Sequence, residues 1–152
     1  MPYEFKATRR IEFSETDMAG IVHFSNFFRY MEVAEHAFYR SLGFSVNLRS
    51  LSPPLGFPRV HAECDYKLPV RFEDLLEVHL LVREKRSRVL SYQIRFNKMG
   101  ASGKEEAAEP MEVARGILTV VCVAHQPGGL LEAVSIPAEF AEKIEVAPAH
   151  LL

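Results

Sequence analysis

Apolar and polar residues alternate along most of the chain, and this two-residue period is interrupted once by a helical one. The alternation is clearest in one segment, whose apolar members are Leu90, Tyr92, Ile94 and Phe96. Apolar residues instead recur every three or four positions from 27 to 42, which predicts an α-helix. We expect this helix to begin at Ser25 or Asn26, either of which can cap it, and to end at Leu42 before Gly43.

Strand-like segments lie on both sides of this helix. They span residues 4–13, 60–68, 76–82, 90–97 and 113–124. One strand, a helix and four strands with short connections predict an α+β fold, in which a long central helix packs on a five-stranded antiparallel sheet. The intervening segments are read as an irregular, functional loop at 44–59 and a polar hairpin loop at 99–109.

No repeat or linker divides the chain, so we predict a single domain over residues 1–152. Its tail from about residue 126 is rich in proline and glycine and is expected to be irregular, apart from a short helix near 138–143. One helix cannot cover five strands fully. We therefore expect a homo-oligomer, with a dimer of dimers as its form.

Composition narrows the functional classes. The formal net charge of -2 argues against a nucleic-acid-binding surface. The longest apolar stretch, 117–124, is far shorter than the ~20 residues of a membrane helix. Residues 1–10 lack the apolar run of a signal peptide, and Cys64 and Cys122 form no C-x-x-C pair. These features predict a cytoplasmic protein with reduced thiols and no membrane or nucleic-acid partner.

Several motifs of known chemistry are missing from the sequence. It contains no G-x-S-x-G serine motif, no G-x-G-x-x-G turn and no phosphate-binding loop. Its six histidines show no metal-ligand spacing. We therefore expect neither a bound metal nor a cofactor.

The junction between the first strand and the helix holds the residues best suited to chemistry. Asp17 lies in a turn-prone segment, and the helix that follows begins with unpaired backbone N–H groups and a positive dipole end. Such N–H groups could polarise a thioester carbonyl, while Asp17 attacks it or deprotonates a water. Gly20 would let the backbone pass close to a substrate. Taken alone, these features are more typical of an ordinary turn, which Asp17 caps and Gly20 permits.

Residues 13–43 resemble the signature of the 4-hydroxybenzoyl-CoA thioesterase family of hotdog-fold enzymes. The matching residues are Phe13, Thr16, Asp17, Gly20, Ile21, Val22, Asn26, Phe27, Glu32 and Gly43. The resemblance continues more weakly through residues 65–74 and reaches about residue 137, so it covers nearly the whole chain. It implies the hotdog fold and hydrolysis of an acyl-CoA to the free acid and coenzyme A.

The resemblance also implies roles for individual residues. Asp17 would be the catalytic carboxylate, as nucleophile or general base. The main chain around His23 and Phe24, together with Gly20, would position the thioester oxygen. Many relatives have an aromatic residue followed by histidine here, whereas this chain has His23 followed by Phe24. The side chain of His23 could therefore be a catalytic group or, alternatively, a pocket-lining or orienting ring.

Two further pairs of charged residues are candidates for a functional role. Arg86 and Arg88 lie in a predicted hairpin turn, where they could contact the phosphates of coenzyme A or simply be solvated. Glu32 and Glu35 lie on the helix, and a related hotdog branch uses a helical glutamate. We expect both on the polar face or paired with basic neighbours.

Two other functions remain open from the sequence. A hotdog hydratase or dehydratase typically has its acidic residue and histidine five positions apart, whereas Asp17 and His23 are six apart. A module that binds acyl-CoA or an acyl carrier without turnover would keep the same fold. Aryl, dihydroxynaphthoyl and aliphatic acyl groups all remain candidates for the substrate.

Overall fold

The computed structural model describes residues 2–100 and 110–152. The predicted loop at 99–109 therefore lies largely outside the described residues. The strands are β1 (Glu4–Arg10), β2 (Leu55–Gly56), β3 (Arg59–Tyr66), β4 (Leu75–Lys85), β5 (Val89–Lys98), β6 (Met111–Val121), β7 (Val123–His125) and β8 (Leu131–Ala133). The helices are α1 (Asn26–Ser41) and α2 (Ala138–Ala141), with short 3-10 turns at Phe13–Glu15 and Ala149–Leu151.

The main sheet has five antiparallel strands in the order β1-β4-β5-β6-β3. This confirms the predicted α+β fold with its long helix and five-stranded sheet. A second sheet, β2-β7-β8, has three short strands. Because β3 is an edge strand, one side of it has no partner in the sheet.

Helix α1 buries one face against the sheet. The buried residues are Phe27, Tyr30, Met31, Ala34, Glu35, Phe38 and Tyr39, and their three-to-four-residue spacing is that of one helical stripe. The helix ends where Gly43 takes a φ of +91° and its N–H bonds the carbonyl of Arg40 at 3.0 Å. The predicted start and end of the helix are thus confirmed to within one residue.

Gly116 lets α1 lie close to the middle of the sheet. A Cβ atom at this position of β6 would overlap the methyl group of Met31 and lie 2.6 Å from the carbonyl oxygen of Glu63. The carbonyl oxygen is fixed in the β3–β6 ladder, and the buried Met31 side chain would have to move, so a side chain here would disturb both the sheet and the packing of α1. The close fit of Met31 on the sheet therefore depends on this glycine.

Three boundary predictions were wrong. The segment 113–124 is two strands, because the chain turns at Cys122 and residues from Val123 on pair with β2 and β8 instead of the main sheet. The first strand ends at Arg10 rather than at residue 13. The tail is more regular than expected, since it adds β8 and the turn at Ala149–Leu151.

The tail also covers part of the sheet face that points away from α1. Gln93 and Arg95 on β5 donate to the carbonyls of Leu152 at 3.5 Å and Leu151 at 2.6 Å. Ser91 and Gln93 are consequently buried although they are polar. Neither helix in the described residues has the length and apolarity needed to cross a membrane.

Candidate active site

Asp17 occupies a tight turn between β1 and α1. Its N–H bonds the carbonyl of Ile21 at 2.8 Å, and its own carbonyl accepts the N–H of Gly20 at 3.0 Å. Gly20 has a φ of +79°, in the left-handed region that favours glycine. The N–H of Ala19 donates to Asp17 Oδ1 at 2.8 Å, so the side chain supports its own turn.

The second carboxylate oxygen of Asp17 has a different environment. Within residues 2–100 and 110–152, Oδ2 accepts no hydrogen bond and meets no basic side chain. Asp17 lines a cavity of about 300 Å³. A half-buried carboxylate with one oxygen held and the other available to a ligand is suited to act as a base or a nucleophile.

The walls of this cavity are mainly apolar. They are formed by Ile21, Val22, Phe24, Phe27, Tyr66, Lys67, Leu68, Pro69 and Val70. The residues from the end of β3 onward were not among the predicted site residues, although residues 66–70 belong to the region of weaker resemblance. The N–H of Val22 bonds the carbonyl of Val70 at 2.7 Å, which holds the two walls together.

Tyr66 and Lys67 bring polar groups to this apolar site. Tyr66 Oη donates to the carbonyl of Phe24 at 3.0 Å, which ties β3 to the start of the helix. Lys67 Nζ forms an ion pair with Glu112 on β6. Hydrogen bonds from Arg115 and Lys67 lower the pKa of Glu112 to about 2. Glu112 therefore stays charged and holds the Lys67 ammonium group in the ion pair.

The backbone N–H groups before α1 differ in availability. That of His23 bonds the carbonyl of Glu15 at 2.9 Å. That of Phe24 meets no acceptor among the described residues, and Phe24 lines the cavity. Of the two main-chain positions predicted to hold the thioester oxygen, Phe24 therefore offers the free donor.

Gly20 and the ring of His23 lie outside the cavity lining. His23 Nδ1 is 2.7 Å from Ser25 Oγ and accepts the N–H of Ser25 at 3.3 Å. The ring stacks on Phe24 at a centroid distance of 4.7 Å. The geometry thus fits an orienting ring, the alternative role that the sequence left open for His23.

Arg86 and Arg88 lie at the far end of the sheet from Asp17 within one chain. Asp17 follows the end where β4 begins, and both arginines lie in the turn after β4 ends. The 11 residues of β4 separate these ends by roughly 35 Å at ~3.3 Å per residue. Arg86 is paired with Glu84.

Glu35 was predicted on the polar face of the helix or paired with a basic neighbour. The polar-face prediction was wrong, because Glu35 is fully buried, whereas its pairing is confirmed by Arg59 Nη2 at 2.7 Å from Oε1. Burial raises the pKa of Glu35 to about 7 although Arg59 opposes this shift. Glu32 remains exposed and lies 3.3 Å from the same guanidinium.

Comparison with known proteins supports a single family. The model of the thioesterase-like superfamily matches residues 11–144. A candidate esterase from Aquifex aeolicus (strain VF5) is 44% identical over 85 residues, covering 55% of this chain and 63% of that protein. The chain therefore spans less than two thirds of that relative's length.

Two further relatives are similar over longer regions. A 1,4-dihydroxy-2-naphthoyl-CoA hydrolase from Gloeothece citriformis (strain PCC 7424) is 30% identical over 106 residues, which cover 68% of this chain and 71% of that protein. The structure of 4-hydroxybenzoyl-CoA thioesterase from Pseudomonas sp. strain CBS-3 superposes with a TM-score of 0.78 at 20% identity. It covers 93% of this chain and 99% of that one, and shows likeness of fold.

Proposed function

We propose that this chain, which belongs to the thioesterase-like superfamily, hydrolyses an acyl-CoA to the free acid and coenzyme A. The observation that carries the proposal is that Asp17 and Phe24 line the same mainly apolar cavity, while the N–H of Phe24 meets no acceptor among the described residues. A relative that hydrolyses a dihydroxynaphthoyl-CoA supports this reaction class.

The chemistry follows from these two groups. A thioester carbonyl placed against the Phe24 N–H becomes more electrophilic, and the negative charge that develops on its oxygen is stabilised there. Asp17 either attacks the carbonyl carbon to form a mixed anhydride or removes a proton from an attacking water. On either route the C–S bond breaks, the electron pair leaves on sulfur, and the thiolate takes up a proton. Thiolate is a good leaving group, so this step needs no catalytic triad. On the nucleophilic route water then hydrolyses the anhydride, which releases the acid and regenerates Asp17.

The test is release of free thiol from a panel of acyl-CoAs. We expect hydrolysis of at least one aryl-CoA, such as 4-hydroxybenzoyl-CoA or 1,4-dihydroxy-2-naphthoyl-CoA, in preference to short aliphatic acyl-CoAs, because Phe27 and Tyr66 give the cavity aromatic walls. Thermal stabilisation by these compounds without thiol release would instead indicate the binding module. Hydration of an enoyl-CoA without thiol release would indicate the hydratase.

We propose that the active form of the enzyme contains a homodimer whose two subunits pair along β3. Most of this edge strand is exposed, including Val60 at 61%, and an exposed edge strand readily pairs with another chain. Antiparallel pairing of two β3 strands would place the partner's turn at 86–88 at the same end as Asp17. Arg86 and Arg88 would then reach the phosphates of coenzyme A from the second subunit, and two dimers would form the tetramer.

Sedimentation velocity checks this assembly. We expect the wild type to sediment as a dimer or tetramer and Ala62→Lys to shift it toward the monomer, because Ala62 is at the middle of β3 and two added charges would meet near the two-fold axis. The matched control is Ala133→Lys on β8, another exposed alanine. An unchanged sedimentation coefficient for Ala62→Lys would argue against a β3 interface.

A cytoplasmic location is part of the same proposal. Cys64 and Cys122 are both free thiols in the structure, as expected for a protein of a reducing compartment.

A further inference from the structure

The backbone carbonyl of Glu15, at the start of the loop that contains the site, accepts two hydrogen bonds from the end of the same loop. It accepts the N–H of His23 at 2.9 Å and the side-chain Nδ2 of Asn26 at 2.8 Å. Asp17 lies two residues after Glu15, and Phe24 lies between the two donors. The loop from 15 to 26 is therefore closed on a single oxygen atom.

Glu15 itself is held firmly in place. Its side chain is nearly buried, with Oε1 accepting the N–H of Glu12 at 2.8 Å and Oε2 facing Arg9 Nη2 at 2.8 Å. Arg9 belongs to β1, and its guanidinium also lies 5.1 Å from the ring centroid of Tyr30 on α1. The carbonyl that closes the loop is thus fixed relative to both the sheet and the helix.

Asn26 does not act as an ordinary helix cap. A capping side chain sits at the N-cap and accepts a hydrogen bond from an N–H of the first turn. Asn26 is instead the first residue of α1, and its amide donates away from the helix to Glu15. The N-cap is Ser25, whose side chain makes no capping bond. The bond from Asn26 therefore orients the loop rather than completing the helix.

This arrangement explains which N–H remains free. The carbonyl of Glu15 occupies the His23 N–H, whereas the next N–H along the chain, that of Phe24, meets no acceptor among the described residues, and Phe24 lines the cavity. The same contact fixes how far Phe24 stands from Asp17, because both residues lie in the closed loop. A shift of about 1 Å in such a pair can cost up to ~10²-fold in rate.

We infer that Asn26 is a positioning residue for thioester hydrolysis: its bond to the Glu15 carbonyl sets the Phe24 N–H opposite Asp17. The inference rests on the proposed function and adds a residue that touches neither the substrate nor the reacting atoms. It requires that loss of the bond lower kcat while substrate binding in the apolar cavity is retained.

Asn26→Asp is the sharpest test, because it keeps the size of the side chain and removes its ability to donate. It also sets a negative oxygen against the Glu15 carbonyl. We expect kcat for thiol release to fall about tenfold or more, with KM changed less than threefold. The matched control is Asn97→Asp, since Asn97 Nδ2 donates to Glu77 at 3.2 Å on the outer face of the sheet. The control should retain wild-type kcat.

A second variant separates positioning from folding. Asn26→Ser gives a hydroxyl that is too short to reach the carbonyl but is compatible with a helix start. We expect this variant to have a lower kcat, while its melting temperature stays close to that of Asn97→Asp. Wild-type kcat in both Asn26 variants would overturn the inference, as would an equal loss in the control. Absence of thiol release by the wild type would instead reject the proposed function, so the two failures are distinguishable.

Discussion

Replacing Asp17 by Asn is expected to lower kcat for thioester hydrolysis by about 10²-fold or more, the scale expected for loss of a catalytic acid–base group. Asparagine keeps the shape of the side chain, and its Oδ1 can still accept the N–H of Ala19 that supports the turn. What it loses is the charge and the basicity of the oxygen that meets no donor in the described residues. The measurement is steady-state release of free thiol from the best acyl-CoA of the panel.

The control for this substitution is Glu139→Gln. Glu139 is an exposed carboxylate on α2, away from both β3 and the cavity lining, so its replacement should leave kcat near the wild-type value. A wild-type rate in Asp17→Asn would show that the carboxylate does not carry the reaction. A similar loss in both variants would point to a general effect of lost negative charge.

The main elements of the fold could be predicted because their signals are local. The stripe of α1 and the alternation of β5 follow from periods of 3.6 and 2 residues along the sequence itself. The break at Cys122 depends instead on the pairing of β7 with β2 and β8, which lie outside this segment of the sequence. No pattern within 113–124 marks it, since both resulting strands are apolar.

The same distinction holds for the site. Asp17 could be proposed as the catalytic carboxylate because its turn residues and its resemblance are both local in sequence. The sequence does not show which N–H, that of His23 or that of Phe24, lacks an acceptor among the described residues. This is decided by the carbonyl of Glu15, at the other end of the loop, which accepts the N–H of His23. Tyr66 and Lys67 were missed for a similar reason, since only the folded sheet brings the end of β3 to the cavity.

Glu35 shows how tertiary structure can override a helical pattern. A glutamate beside the apolar stripe of α1 is ordinarily solvated, but this one lies under Arg59, the first residue of β3. The partner comes from 24 positions further along the chain, so burial of the charge could not be predicted locally.

Replacing Arg59 by Met is expected to destabilise the protein by about 3–5 kcal/mol at pH 8.5, the usual cost of leaving one member of a buried ion pair alone. The cost should depend on pH. Burial already raises the pKa of Glu35 above its unfolded value, to about 7, and loss of Arg59 raises it further. An acid with a raised pKa in the folded state binds its proton more tightly there, so its contribution to stability declines as pH rises from about 4.5 through 7.

At pH 5 Glu35 is protonated in both proteins, and Arg59→Met should therefore cost much less than at pH 8.5. Urea unfolding at fixed protein concentration measures both values, and fixed concentration matters because β3 is the proposed dimer edge. The paired control is Arg59→Met with Glu35→Leu, which removes the buried charge as well and should recover most of the stability at pH 8.5, since well-packed apolar replacements of buried ion pairs are tolerated. A cost that is equal at the two pH values, or a double variant no more stable than Arg59→Met, would show that an unpaired Glu35 carboxylate is not the cause.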